Sequence, residues 1–128
     1  MLTELFQALT ALLSGLDAPL YHADSVPAGA AFPYLTAAFS SPLSAGEAGA
    51  LTLTLWCRGG DANAQRFRLS EELAQLLPAR RLRIPLSEGV FTLRLKVGPT
   101  FVASQEALGA KTVWALRCYP ACPKGVDA

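Results

Sequence analysis

The stretch Ala50-Leu51-Thr52-Leu53-Thr54-Leu55-Trp56-Cys57-Arg58, followed at once by Gly59-Gly60-Asp61, decides the fold. Leu51, Leu53, Leu55 and Cys57 point one way; Thr52, Thr54, Trp56 and Arg58 point the other. Successive side chains of a strand face opposite sides, so residues 50–58 read as a strand with one buried face. Gly59-Gly60 breaks it, and Asp61 is placed to cap a helix. That helix carries Ala62, Arg66, Leu69, Leu73, Leu76 and Leu77 on one stripe, and Pro78 stops it.

Outward from this unit, residues 34–39 read as another strand, with Leu35, Ala37 and Phe39 on one face. Residues 40–49, with Pro42, Gly46 and Gly49, read as a long loop, expected to be mobile in an isolated subunit. Residues 24–33 are loop, and Leu20-Tyr21-His22 is a short extended piece. At the start, Leu2, Leu5, Phe6, Leu9, Leu12, Leu13 and Leu16 follow helical spacing, with Gly15 expected to end the helix in a left-handed cap.

Beyond the second helix come a strand at 82–86, a turn at 87–89 and a strand at 90–97. Phe91, Leu93, Leu95 and Val97 are expected inward there, with a kink or bulge at Gly98-Pro99. A turn near 106–110 leads to a last strand at 111–119, with Trp114, Leu116 and Cys118 on one face, and the chain from Pro120 reads as irregular. The order α, β, β, β, α, then several β, predicts an α+β fold: an antiparallel or mixed sheet with two helices packed on it. The 128 residues read as one domain.

Hydrophobic residues make up 52% and charged residues 16%. Disordered chains show the opposite balance. So much apolar surface suggests a partner or an oligomer. Eleven Lys and Arg against ten Asp and Glu leave +1, a poor balance for a general nucleic-acid or membrane-surface binder. No apolar run is long enough to span a bilayer. The Leu-rich start carries Glu4 and polar residues at helical intervals, so it reads as an amphipathic helix of a cytoplasmic protein rather than a signal peptide. Three cysteines form no closed disulfide framework.

No pattern of residues announces catalysis. The one histidine, His22, has no partner nominated by spacing. Cys118 and Cys122 lack a second ligand pair for zinc. Arg58-Gly59-Gly60-Asp61 lacks the further glycines and the Lys of a phosphate loop. The expectation is a protein that is not an enzyme and needs no cofactor or metal.

Two segments carry a resemblance. The first runs from Pro19-Leu20-Tyr21-His22 through Val26-Pro27-Ala28-Gly29-Ala30-Ala31-Phe32-Pro33-Tyr34; the second is Leu51-Thr52-Leu53-Thr54-Leu55-Trp56-Cys57-Arg58, then Gly60 and a helix with Ala64 and Leu73. This is similar to the tail-completion and tail-terminator proteins of long-tailed bacteriophages, also called head–tail joining or minor tail proteins. They show an N-terminal helix, a P-x-Y strand, a P-x-G-x-x-x-P-Y stretch, a strand–W-x-x-x-G–helix unit and a closing β-hairpin. The resemblance spans nearly the whole chain in element order. It implies a structural protein that forms a homo-oligomeric ring, typically of six subunits, on the end of the tail tube. The tail-tube protein and the head connector would be its partners, and DNA would pass through the ring as cargo. It implies residence in the host cytoplasm during assembly and in the virion tail thereafter.

Candidate contact residues come from the residues themselves. Phe67 lies roughly 160° or more from Leu69 and Leu76 on the helical wheel, so one sheet can hardly bury all three. Arg68, Glu71 and Glu72 would rim it. Pro42, Leu43 and Glu47 are the contact points expected in the 40–49 loop. Arg80, Arg81 and Arg83 form a basic cluster that could meet DNA, a partner's acidic rim or only solvent. Two alternatives stand beside the ring: a head-completion or neck connector protein, and a small ligand-binding α+β domain with a pocket near Tyr21, His22 and Tyr34.

Overall fold

The computed structural model describes residues 2–16, 18–40, 48–77, 82–87, 89–104 and 107–120. It contains helix α1 (Leu2–Leu12), strands β1 (Leu20–His22), β2 (Tyr34–Ser40) and β3 (Ala48–Cys57), helix α2 (Ala62–Leu76), and strands β4 (Leu82–Leu86), β5 (Gly89–Ala103) and β6 (Leu108–Pro120). The strands form one six-stranded sheet in the order β1-β2-β3-β6-β5-β4. β1 runs parallel to β2 and every other neighbouring pair is antiparallel, so the sheet is mixed and the fold is α+β.

The register sorts the paired strand residues onto one of two faces, because directly opposed residues share a face. Leu35, Leu55 and Ala110 align across β2, β3 and β6, as do Leu51, Trp114 and Leu95 across β3, β6 and β5. This face is the core: Leu35, Leu51, Leu53, Leu55, Cys57 and Leu93 are fully buried, and Leu5, Leu9, Leu69 and Leu73 of the two helices pack in the same cluster. The alternation of residues 51–57 therefore has the meaning assigned to it from sequence. His22 and Phe6 stack with ring centroids 3.9 Å apart, which places α1 on this face too. Among the described residues, the other face carries no helix. No helix among the described residues is long and apolar enough to cross a membrane.

Several local expectations need correction. Gly15 takes no left-handed conformation. The α1 chain instead tightens into a 3-10 turn at Leu13–Gly15, and the Leu16 N–H donates to the Leu13 carbonyl at 3.0 Å. That bond occupies a terminal carbonyl a left-handed cap would otherwise have satisfied. Asp61 makes no side-chain cap bond. Gly59, at φ 107, turns the backbone so that its own carbonyl accepts the Ala62 N–H, and the Asp61 carbonyl accepts from Gln65. Ser40, Ala48 and Gly49 belong to strands β2 and β3, not to a loop; residues 41–47 lie outside the described residues.

The largest differences lie in the closing hairpin. β5 continues through Gly98-Pro99 to Ala103, and just before β6 the Ser104 N–H donates to the Ala107 carbonyl at 2.9 Å. β6 thus begins at Leu108, and its pairing with β5 persists to Pro120 opposite Gly89. The register slips between Leu95 and Val97 and again between Val97 and Thr100. The expected irregularity is therefore present and begins earlier. It has a direct consequence: Leu95 opposes Trp114 on the core face, whereas Val97 opposes Val113 on the other. One extra residue in a bulge inverts the alternation, and so Val97 is 48% exposed rather than inward.

Gly109 shows a close approach that only glycine allows. A Cβ there would lie 2.9 Å from Trp56 Cζ3 and 2.9 Å from Val102 Cγ2. The three residues oppose one another across β3, β6 and β5 on the helix-free face. Gly109→Ala is expected to destabilise the fold by about 1–3 kcal/mol through overpacking. The check is urea unfolding followed by Trp fluorescence; an unchanged midpoint would show that Trp56 moves aside freely.

Candidate functional site

The outer side of α2 overhangs the free edge of β5. Phe67 projects from the helix and is 49% exposed; Phe101, opposite Ala110 on the core face of β5, is also 49% exposed. Their rings meet edge to face, with centroids 5.1 Å apart and planes at 71°. The sheet buries the Leu69 and Leu73 stripe and leaves Phe67 outside it, as the helical wheel requires. What the sequence did not reveal is Phe101: only the continuation of β5 past Pro99 brings it there.

Arg66 binds the aromatic pair into one unit. Its Cζ lies 4.6 Å from the Phe101 ring centroid and 5.6 Å from that of Phe67. Nη1 donates to the Val102 and Gly109 carbonyls at 3.4 and 3.3 Å, and Nη2 donates to Asn63 Oδ1 at 2.6 Å. The guanidinium is thereby held over the rings, a cation–π arrangement. Arg68 and Glu71 are exposed beside Phe67 on the same helix, while Glu72 is half-buried. The result is an aromatic anchor about two side chains wide with a charged rim. Such a surface suits docking against a second protein surface. It offers no nucleophile–base pair.

The remaining candidates do not gather there. Arg83 is exposed on β4, at the opposite end of β5 from Phe101. Pro42, Leu43, Glu47, Arg80 and Arg81 lie outside the described residues. The pocket considered near Tyr21, His22 and Tyr34 does not form from those three. His22 opposes Ala37 on the core face and stacks on Phe6, whereas Tyr21 opposes Thr36 on the other face and meets Tyr34 edge to face at 5.8 Å.

Two further groups have environments that matter. Cys57 is buried in the core, and burial pushes its thiol pKa up, so the folded chain holds it as an unreactive thiol. Glu4, on the first turn of α1, accepts from the Ser87 hydroxyl at 2.6 Å and from the Ser87 N–H at 3.1 Å. The Ser87 hydroxyl first, and then its N–H, hold the Glu4 carboxyl below its ordinary pKa. A carboxylate with a depressed pKa in the folded chain stabilises it above the ordinary carboxylate range and loses that contribution as pH falls through its folded pKa. Glu4→Gln is therefore expected to flatten part of the loss of stability as pH falls below the ordinary carboxylate range. Urea midpoints against pH measure it; identical acid limbs in both proteins would contradict the tie.

No family model matches this chain, and no curated protein and no solved structure matches it.

Proposed function

We propose that this chain is a structural subunit of a bacteriophage tail-completion ring, which self-associates through the Phe67–Phe101 surface and closes the end of a tail tube where tail joins head. The observation that carries the reading is that surface: two half-exposed aromatic rings locked edge to face under one guanidinium. Exposed aromatic side chains flanked by Arg are the usual anchors of protein interfaces. A ring demands a heterologous contact, and a patch on one side of α2 suits an interface of that kind.

The order of elements supports the same reading. Pro33-Tyr34 opens β2, Trp56 closes the alternating run of β3 ahead of Gly59-Gly60 and α2, and β5–β6 forms the final hairpin. These are the positions at which the resemblance to tail-terminator proteins places its motifs. The tail-tube protein and the head connector are the partners proposed. The test is electron microscopy of the purified protein alone and mixed with tail tubes. The reading expects rings with a central channel and tubes capped at one end; tubes left uncapped by a protein that forms no rings would overturn it.

A further inference from the structure

Between α2 and the core face of β5 and β6 lies a cavity of about 120 Å³. Leu73, Leu77 and Trp114 line it and are buried. Ala74 of α2 and Pro99 of β5 line it and are exposed, which puts its mouth between them. Two polar side chains reach its wall, Ser70 and Thr112. Thr112 is already engaged: its hydroxyl accepts the Trp114 indole N–H at 2.9 Å and lies 3.5 Å from the Leu53 carbonyl, to which it donates. The Ser70 Oγ is shielded from solvent and has no hydrogen-bond partner among the described residues. A helical serine hydroxyl often returns to the carbonyl four residues back, and this one does not. A buried hydroxyl left unpaired is costly and uncommon.

The chemistry of the wall selects the guest. A buried water needs several polar partners, and this wall offers one free hydroxyl beside one that is engaged, in a hydrocarbon lining. An apolar cavity of about 150 Å³ takes benzene, so a space of this order suits a single six-membered ring. Trp114 gives such a ring an aromatic neighbour, and aromatic pairs gain more than their burial alone. We propose that the cavity binds a small single-ring aromatic alcohol, a molecule of the phenol class, with its ring against Leu73, Leu77 and Trp114 and its hydroxyl paired with the Ser70 Oγ. The cavity is built by one copy of the chain and includes neither Phe67 nor Phe101, so the inference does not rest on the ring.

The experiment is an NMR titration of the whole ¹⁵N-labelled protein with phenol, and with toluene, which has the same shape and no hydroxyl. Phenol should shift the indole N–H signal of Trp114 and leave that of Trp56, which lies on the opposite face of the sheet. Ser70→Ala should weaken phenol about fivefold to tenfold and change toluene by less than about twofold, as expected for one hydrogen bond. Alanine is the strongest helix former, so the variant keeps α2, and circular dichroism checks it. No shift of the Trp114 signal at millimolar phenol, equal shifts of both indole signals, or a phenol affinity that Ser70→Ala leaves unchanged or lowers no more than that for toluene would each overturn the proposal. The readout is a local signal rather than assembly, so a failure here leaves the ring proposal standing, and a failure of the ring leaves this one standing.

Discussion

Phe67→Ser is expected to convert the assembled protein to monomers while leaving its circular dichroism spectrum in place. Phe67 is 49% exposed in the single subunit and contributes nothing to the buried Leu69 and Leu73 stripe, so its removal opens no core cavity. Within the subunit it forfeits the edge-to-face contact with Phe101, about 0.5–1.5 kcal/mol. At a subunit contact it forfeits the burial of a whole ring, about 1.5–3 kcal/mol per interface. A closed ring repeats that loss at every contact, so the effect on assembly far exceeds the effect on folding. Sedimentation at several concentrations reads the outcome. An oligomer unchanged by the substitution would remove Phe67 from the interface, and Phe101→Ser, which strips the other half of the patch, should behave in the same way.

Phe91→Ala is expected to produce the largest loss of fold stability, about 3–5 kcal/mol. Phe91 is 1% exposed and is the largest of the fully buried side chains. It opposes Ile84, which is also buried, and Cys118, so it anchors the short strand β4 and the lower end of β5 to the rest of the sheet. The hole it leaves lies within the buried cluster that the sheet shares with both helices, which limits collapse. The urea midpoint should drop by a large fraction of its value, since whole domains are held by only about 5–15 kcal/mol. A loss below about 1 kcal/mol would mean that the site repacks around the deletion.

How much of this was legible in the sequence depends on the range of the interactions that decide each feature. The strand at 51–57 and the stripes of α1 and α2 could be read because local alternation and helical spacing already separate most buried from exposed positions there; Leu12, placed on the α1 stripe by its spacing, is instead 37% exposed at the last residue of the helix. The two helices on one sheet followed from element order. The inversion at Val97 could not be read: a bulge is a relation between β5 and its partner β6, and residues 90–97 alone still alternate. Gly15 and Asp61 had the right residue types for caps, but the backbone satisfied the same groups more directly, through a 3-10 turn and through Gly59.

The candidate site was half visible for the same reason. Phe67 stood out because a helical wheel is local. Phe101 did not, since its place beside Phe67 depends on β5 running ten residues past β4's last partner on it, Leu93. That Arg83, Arg94, Lys111 and Arg117 stand on the same side of the sheet becomes visible only with the register. The parallel pairing of β1 with β2 likewise rests on contacts between Leu20–His22 and residues 35–37, across a loop whose composition says nothing about direction.

The most direct test of the central claim is native mass spectrometry of the wild-type protein over a wide range of concentrations. The account predicts a closed ring, with six copies as the expected number, and its disappearance in Phe67→Ser. A wild-type protein that stays strictly monomeric at the highest concentration would contradict it.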